Sequence, residues 1–281
     1  MTSTRDPAAT PASDAAVDAR YTSVLVPLDG SDRAERALVP AQRLAKGFDA
    51  AVHLVASVRR DERWWYERYL GKLQGRMAGT TTQVSDEPDP VQAIVAAARG
   101  LDPCIVCLAT HGRSRSAAIV GSTFARIAAE RVGPLVAVGP RVATSADHAD
   151  ASGHLVVCLD GTAAAEQALP LAAAWARRLG GRITAVTAAD PVLVDRDLES
   201  YLRDVARRPE LEGLPVGTRV LWGMEYAHFL IGHYAEREPT EFLVATTHGR
   251  MGFARAAFGS EVARIIHRSP VPVLVQPLSP R

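Results

Sequence analysis

Cysteine is scarce in this chain, net charge is almost absent, and no long apolar run occurs. Three cysteines in 281 residues are too few for a disulfide framework. With 32 Lys and Arg against 31 Asp and Glu the net charge is +1, which gives no electrostatic footprint for DNA, RNA or an anionic membrane. No stretch approaches the roughly 18 apolar residues that a membrane span needs. Residues 1–20 are biased to Ala, Thr, Ser, Asp and Pro and have no hydrophobic centre of the secretory type. They are expected to form a disordered arm, with a cytoplasmic location as the default.

Cys104 and Cys107 spell CxxC, but inside the apolar run CIVCLA. In a strand, positions three apart face opposite sides and lie about 10 Å apart, beyond disulfide reach. These two thiols, and Cys158 in another apolar run, are expected to be buried and structural.

What is present is enough apolar material for two cores. Hydrophobic residues make up 47% and charged residues 22%, ordinary for a globular protein, and the length suits two domains. The chain also repeats itself. Val24-Leu25-Val26-Pro27-Leu28-Asp29-Gly30-Ser31 recurs as Leu155-Val156-Val157-Cys158-Leu159-Asp160-Gly161-Thr162. Thr110-His111-Gly112-Arg113 recurs as Thr247-His248-Gly249-Arg250, and Gly121-Ser122 as Gly259-Ser260.

Each copy alternates strand and helix. The first strand is near-continuously apolar, as in a parallel strand covered on both faces. The next helix places Ala34, Ala37, Leu38, Ala41, Leu44 and Ala45 on one face, matched by Ala165, Ala168, Leu169, Ala172, Trp175 and Ala176, at helical spacing. Strands follow at 51–58 and 182–189, at 104–109 and 242–246, and at 134–138 and 271–276, with helices at 91–98, 227–235 and from Ser122 and Ser260. The expected fold is α/β, with two tandem doubly wound parallel-sheet domains related by a pseudo-twofold. The boundaries read as domain 1 at 21–140, a Ser/Ala/Asp-rich linker at 141–153 and domain 2 at 154–278. Residues 59–79, with Trp64, Trp65, Tyr66 and Tyr69, have no good partner in the second copy. They read either as a partner surface or lid, or as aromatic packing on the sheet.

After the fourth strand of the second copy comes Thr247-His248-Gly249-Arg250-Met251-Gly252, then Gly259-Ser260-Glu261 opening a helix. Glycines allow close backbone approach, and a helix start offers free N–H groups to an anion. This is a phosphate cradle in kind. It is neither a Walker A loop nor a dinucleotide GxGxxG turn, since Gly71-Lys72 continues with Leu73. The alternative is a structural turn that binds nothing. For Asp29 and Asp160 the alternative is capping of the following helix, and for His111 and His248 it is packing that orients the loop.

With Gly249, nine residues, Gly259 and Ser260, the chain resembles the universal stress proteins. The Asp-Gly-Ser and Asp-Gly-Thr turns and the closing Pro270-Val271-Pro272-Val273-Leu274-Val275 carry the same resemblance, over about residues 21–140 and 153–277. It implies an adenine-nucleotide α-hydrolase-like fold, ATP as ligand with or without magnesium, and a stress-response regulator working through conformation or partner choice. It also implies roles by position. Asp160 would lie by the adenosine and the backbone of Ala188 at the adenine edge. Gly249, Arg250, Gly259, Ser260 and the amide of Glu261 would hold ribose and phosphates. The matching first-copy positions are Asp29, Ser57, Gly112, Gly121 and Ser122.

Both copies depart from the pattern. Ala109 and Thr246 stand where its first glycine belongs, and the first copy has eight residues between Gly112 and Gly121 where the second has nine. No loop lysine or carboxylate pair supplies the groups that efficient phosphoryl transfer needs, so the expected output is regulation, with at most slow hydrolysis or autophosphorylation. Two other readings stand beside it. One is a nucleotide-free dimeric scaffold. The other is an adenylating enzyme, suggested by Leu230-Ile231-Gly232-His233 but lacking that class's other motifs. The repeat predicts pairing of the halves through the closing strands, as an intrachain pseudo-dimer or a homodimer.

Overall fold

Runs such as Val24-Leu25-Val26 have no polar face, so they are stable only where helices cover both sides of a sheet. The computed structural model describes residues 20–101, 103–110, 122–143, 153–193, 197–247 and 260–277, and in it these runs are inner strands of one sheet. The first half runs β1 (Ser23–Pro27), α1 (Asp32–Glu35), α2 (Leu38–Phe48), β2 (Ala51–Ser57), α3 (Arg63–Gln74), β3 (Thr80–Ser85), α4 (Pro90–Gly100), β4 (Cys104–Ala109), α5 (Ser122–Glu130) and β5 (Leu135–Val138). The second half repeats this as β6 (His154–Cys158), α6 (Ala163–Glu166), α7 (Ala168–Arg178), β7 (Arg182–Ala189), α8 (Leu198–Ala206), β8 (Val216–Trp222), α9 (Ala227–Arg237), β9 (Phe242–Thr247), α10 (Ser260–Arg268) and β10 (Val273–Pro277).

The halves share a ten-stranded sheet in the order β3-β2-β1-β4-β5-β10-β9-β6-β7-β8. Neighbours within each half are parallel. At the seam β5 and β10 run antiparallel, with Leu274 opposite Val136. The strand order mirrors about that seam, which is the pseudo-twofold the repeat implies. Both edges of β5 and β10 are taken inside the chain, so any association between chains would use another surface.

Strand side chains alternate between faces, and here the alternation builds two cores, each spanning both halves. One holds Val24, Val26, Cys107, Val136, Leu155, Phe242 and Leu274. The other holds Leu25, Cys104, Val106, Leu135, Val156, Leu243 and Val273. Cys104 and Cys107 thus fall on opposite faces, free and buried, and burial pushes the Cys107 thiol well up. Between α2 and α7 an aromatic chain crosses from one half to the other. Phe48 meets Trp175 at 4.8 Å, and Trp175 meets Phe242 at 5.5 Å.

Three features differ from the sequence reading. The first helix of each half is broken after α1 and α6, because Pro40 and Pro170 have no N–H for the carbonyls of Arg36 and Glu166. The strands β3 and β8, absent from the sequence reading, have no continuous apolar run because they are the two edges of the sheet and largely exposed. Residues 63–74 do have a counterpart: α8 occupies the matching place between β7 and β8.

Gly139, just past the seam, is required for close approach. A Cβ there would lie 2.0 Å from the carbonyl oxygen of Ile266 on α10, a backbone atom that cannot swing aside. Gly139→Ala is expected to cost about 1–3 kcal/mol, read as a lower denaturation midpoint. An unchanged midpoint would contradict the packing of α10 on the seam.

His154 opens β6, is buried, and bonds Thr184 Oγ1 at 2.8 Å and Arg182 at 3.3 Å. Burial, then the charge of Arg182, lowers its pKa from 6.5. The unfolded chain therefore takes up the proton first, and His154 should withdraw stability as pH falls from about 6.5 through its lower folded value. Nearby Glu241, raised from 4.5 by burial, acts in the opposite sense at lower pH. Denaturation between pH 7 and 5 should show a smaller decline in His154→Gln than in the wild type; equal declines would refute this assignment.

Candidate functional site

In both halves the first strand ends in a tight turn built by one aspartate. Asp29 Oδ1 accepts the N–H of Ser31 at 3.0 Å and its hydroxyl at 2.6 Å. Ser31 Oγ then caps α1 by accepting from Ala34 N–H. The second half repeats this, with Asp160 Oδ1 accepting from Thr162 N–H at 2.9 Å and Oγ1 at 2.6 Å, and Thr162 capping α6. Gly30 and Gly161 take φ of 76° and 80°, which favours glycine. The cap residue is therefore Ser31 or Thr162, and the aspartate fixes it at the mouth of the sheet.

Beside this turn the peptide group of Ala188 turns toward β6. Val186 C=O accepts from Leu159 N–H at 2.9 Å, on the β6 side, and Ala189 C=O accepts from Gly223 N–H at 3.1 Å, on the β8 side. Peptide groups alternate between neighbouring strands, so Ala188 turns toward β6 above its last residue, beside Asp160. Leu28 N–H to Val55 C=O and Val58 N–H to Ser85 C=O place Ser57 likewise beside Asp29. Ser57 Oγ itself donates to the carbonyl of Glu87 at 2.7 Å. Crevices beyond the carboxyl ends of parallel strands, where the winding reverses, are where such sheets take ligands.

The third element is the start of the helix after the glycine loop. Ser260 opens α10, and the carboxylate of the next residue, Glu261, accepts from the backbone N–H of His228 at 2.8 Å and faces its Nδ1 at 2.9 Å. Because His228 lies in the first turn of α9, this places the first turn of α10 at the same end of the sheet. In the first half Ser122 opens α5 and is exposed. There Asp89 caps α4 and pairs with Arg126, whose guanidinium holds the carboxyl below its usual range. Gly112, Gly121, Gly249, Arg250 and Gly259, with His111, Arg113 and His248, lie outside the described residues. Thr246 is buried on the face shared with Phe242 and Val244, so its branched side chain packs inward. Leu230 to His233 form the middle of α9, far in sequence from β6.

Two features beside these crevices go beyond the sequence reading, which took Tyr66 and Tyr69 as a partner surface or lid or as packing on the sheet. Tyr66 on α3 donates its hydroxyl to Asp29 C=O at 2.9 Å, and Tyr69 donates to Glu35 at 2.9 Å. Burial and then that carboxylate push the Tyr69 phenol well up. Tyr201 on α8 stands likewise beside Glu166, which pairs with Arg208. The second feature is a contrast between the two rims. After β7 and β8 the exposed residues include Val192, Leu193, Trp222, Met224 and Tyr226. After β2 and β3 the matching places hold Arg59, Asp61, Asp86 and Glu87. The signal for this, Trp-Gly-Met-Glu-Tyr after an apolar stretch, becomes meaningful only once the edge strand is known.

Residues 152–277 match the family model of the Universal stress protein family. No curated protein matches the chain. The chain superimposes on a universal stress protein from Archaeoglobus fulgidus DSM 4304 with a TM-score of 0.68 at 20% identity, covering 91% of this chain and 98% of that one. A protein of unknown function from Pseudomonas aeruginosa PAO1 aligns with a TM-score of 0.60 at 16% identity, covering 94% of each chain. Among the described residues no helix is long and apolar enough to cross a membrane.

Proposed function

We propose that this chain, whose second half is a universal stress protein domain paired with a first half of the same fold, binds an adenine nucleotide in its second half. The observation that supports the reading is a shared end of the sheet. Asp160 follows β6, the peptide group of Ala188 near the end of β7 turns toward β6, and the first turn of α10 lies beside that of α9. Asp160 suits a ribose hydroxyl, and a peptide N–H and C=O suit the edge of adenine. The apolar rim of Val192 and Leu193 suits a flat base. The loop from Gly249 to Gly259 leads into a helix start that favours phosphate.

The second half is favoured over the first on two grounds. Its loop keeps nine residues between the glycines, and the family model matches this half. A magnesium ion would arrive with the nucleotide, held chiefly by its phosphates. Regulation is the proposed output, by a shape or partner preference that differs between the free and bound states.

Equilibrium dialysis with labelled ATP tests this. The wild type should retain nucleotide and Gly259→Val should lose it, because the pattern calls for glycine there and a branched residue removes its freedom of close approach. Equal retention by both would remove the loop from the site. No retention by either would leave a paired scaffold with a structural turn.

A further inference from the structure

Glu261 stands next to Ser260, on the turn whose amides would attract phosphate, and a carboxylate there repels phosphate. The structure turns it aside. Oε1 accepts from His228 N–H at 2.8 Å and meets Nδ1 at 2.9 Å, while Oε2 faces Arg264 at 3.4 Å. A carboxylate only accepts, so Nδ1 carries the proton. His228 is held for this task, stacked on Tyr226 at 5.6 Å and 15° and packed against Phe229 at 4.7 Å.

The first half solves the same problem differently. Asp89 stands on the helix that it caps and meets Arg126 from α5. The residue after Ser122 is the uncharged Thr123. In the second half Tyr226 at the head of α9 makes no side-chain cap, and the carboxylate that serves α9 comes instead from α10. The second crevice therefore carries a negative charge on its own phosphate-facing turn, and that charge must be kept pointing away.

We propose that His228 is a positioning residue of the second site, holding Glu261 on α9 so that the turn at Ser260 presents amides to the ligand's phosphates. This rests on the nucleotide reading above. The ligand class that senses it is the phosphorylated one: adenosine carries no phosphate and should be indifferent.

Calorimetric titration with ATP and with adenosine tests this on the full chain, for the wild type, His228→Ala, His228→Gln, Glu261→Gln and His228→Ala/Glu261→Gln. His228→Ala should weaken ATP about tenfold, the scale of one like charge brought close to phosphate in a partly solvated site, and leave adenosine unchanged. The loss relative to wild type should shrink as salt rises. His228→Gln, which keeps a side-chain donor, should retain most of the affinity, and the double variant should recover it. Glu261→Gln alone should bind ATP at least as tightly as the wild type, a test that stands even if His228→Ala fails to fold. Weakening of ATP and adenosine alike, no recovery in the double variant, or weaker binding in Glu261→Gln would each overturn the role of His228 while the site itself stands. A wild type that binds neither ligand would remove the site and this inference together.

Discussion

Trp175→Ala should lower the unfolding free energy by about 3–5 kcal/mol, the range for truncating a large buried aromatic. Trp175 is fully buried on α7, and its ring packs on both halves at once. Phe48 lies 4.8 Å away, Phe242 5.5 Å and Tyr21 6.3 Å. A side chain shared in this way ties the folding of one half to that of the other. Urea denaturation followed by circular dichroism should show one transition in the wild type and an earlier one in the variant. A loss confined to a second, separate transition would show that the halves unfold independently, against the continuous cores described above.

A charge at the seam should do comparable damage. Leu274 is fully buried opposite Val136, in the core that runs through both halves. Leu274→Asp leaves a carboxylate there with no partner, at about 3–5 kcal/mol. The penalty has a pH signature, because burial raises the pKa of such a carboxyl. A raised folded pKa means the variant loses stability as pH rises through it, so it should be relatively more stable at pH 5 than at pH 8. Thr218→Asp on the exposed edge strand β8 should change stability by less than about 0.5 kcal/mol. Similar losses in both variants would contradict the assignment of β5 and β10 to the centre of the sheet.

The inner strands were legible because a strand buried on both faces must be apolar throughout, as Val24 to Val26 and Leu155 to Val157 are. The repeat made the seam legible too, since two like halves closing on Leu135 to Val138 and Val273 to Gln276 pair most simply through those strands. The edges β3 and β8 were not legible. Thr81-Thr82-Gln83 and Gly217-Thr218-Arg219 are exposed, so these strands show no continuous apolar run to read.

At the site, Asp29 and Asp160 were found from their turns, and the capping offered as their alternative role falls to their neighbours. The side chain that caps is Ser31 or Thr162, and the aspartate holds it. Glu261 was visible as a helix-opening residue, whereas its partner was not. His228 lies 33 residues away, and nothing local in Tyr-Ala-His-Phe marks a contact with another helix. The Tyr69–Glu35 contact was hidden for the same reason, as a pairing made by the crossover of α3 over the sheet.

The proposed nucleotide site is single and lies in the second half, and the repeat supplies its own control. Asp29 and Asp160 make the same two bonds in the same turn, so replacing either by alanine should carry a similar folding penalty of about 1 kcal/mol. Calorimetric titration with ATP should give one site per chain in the wild type and in Asp29→Ala, with affinity at least about tenfold weaker in Asp160→Ala. No binding in the wild type, or equal weakening by both substitutions, would contradict it.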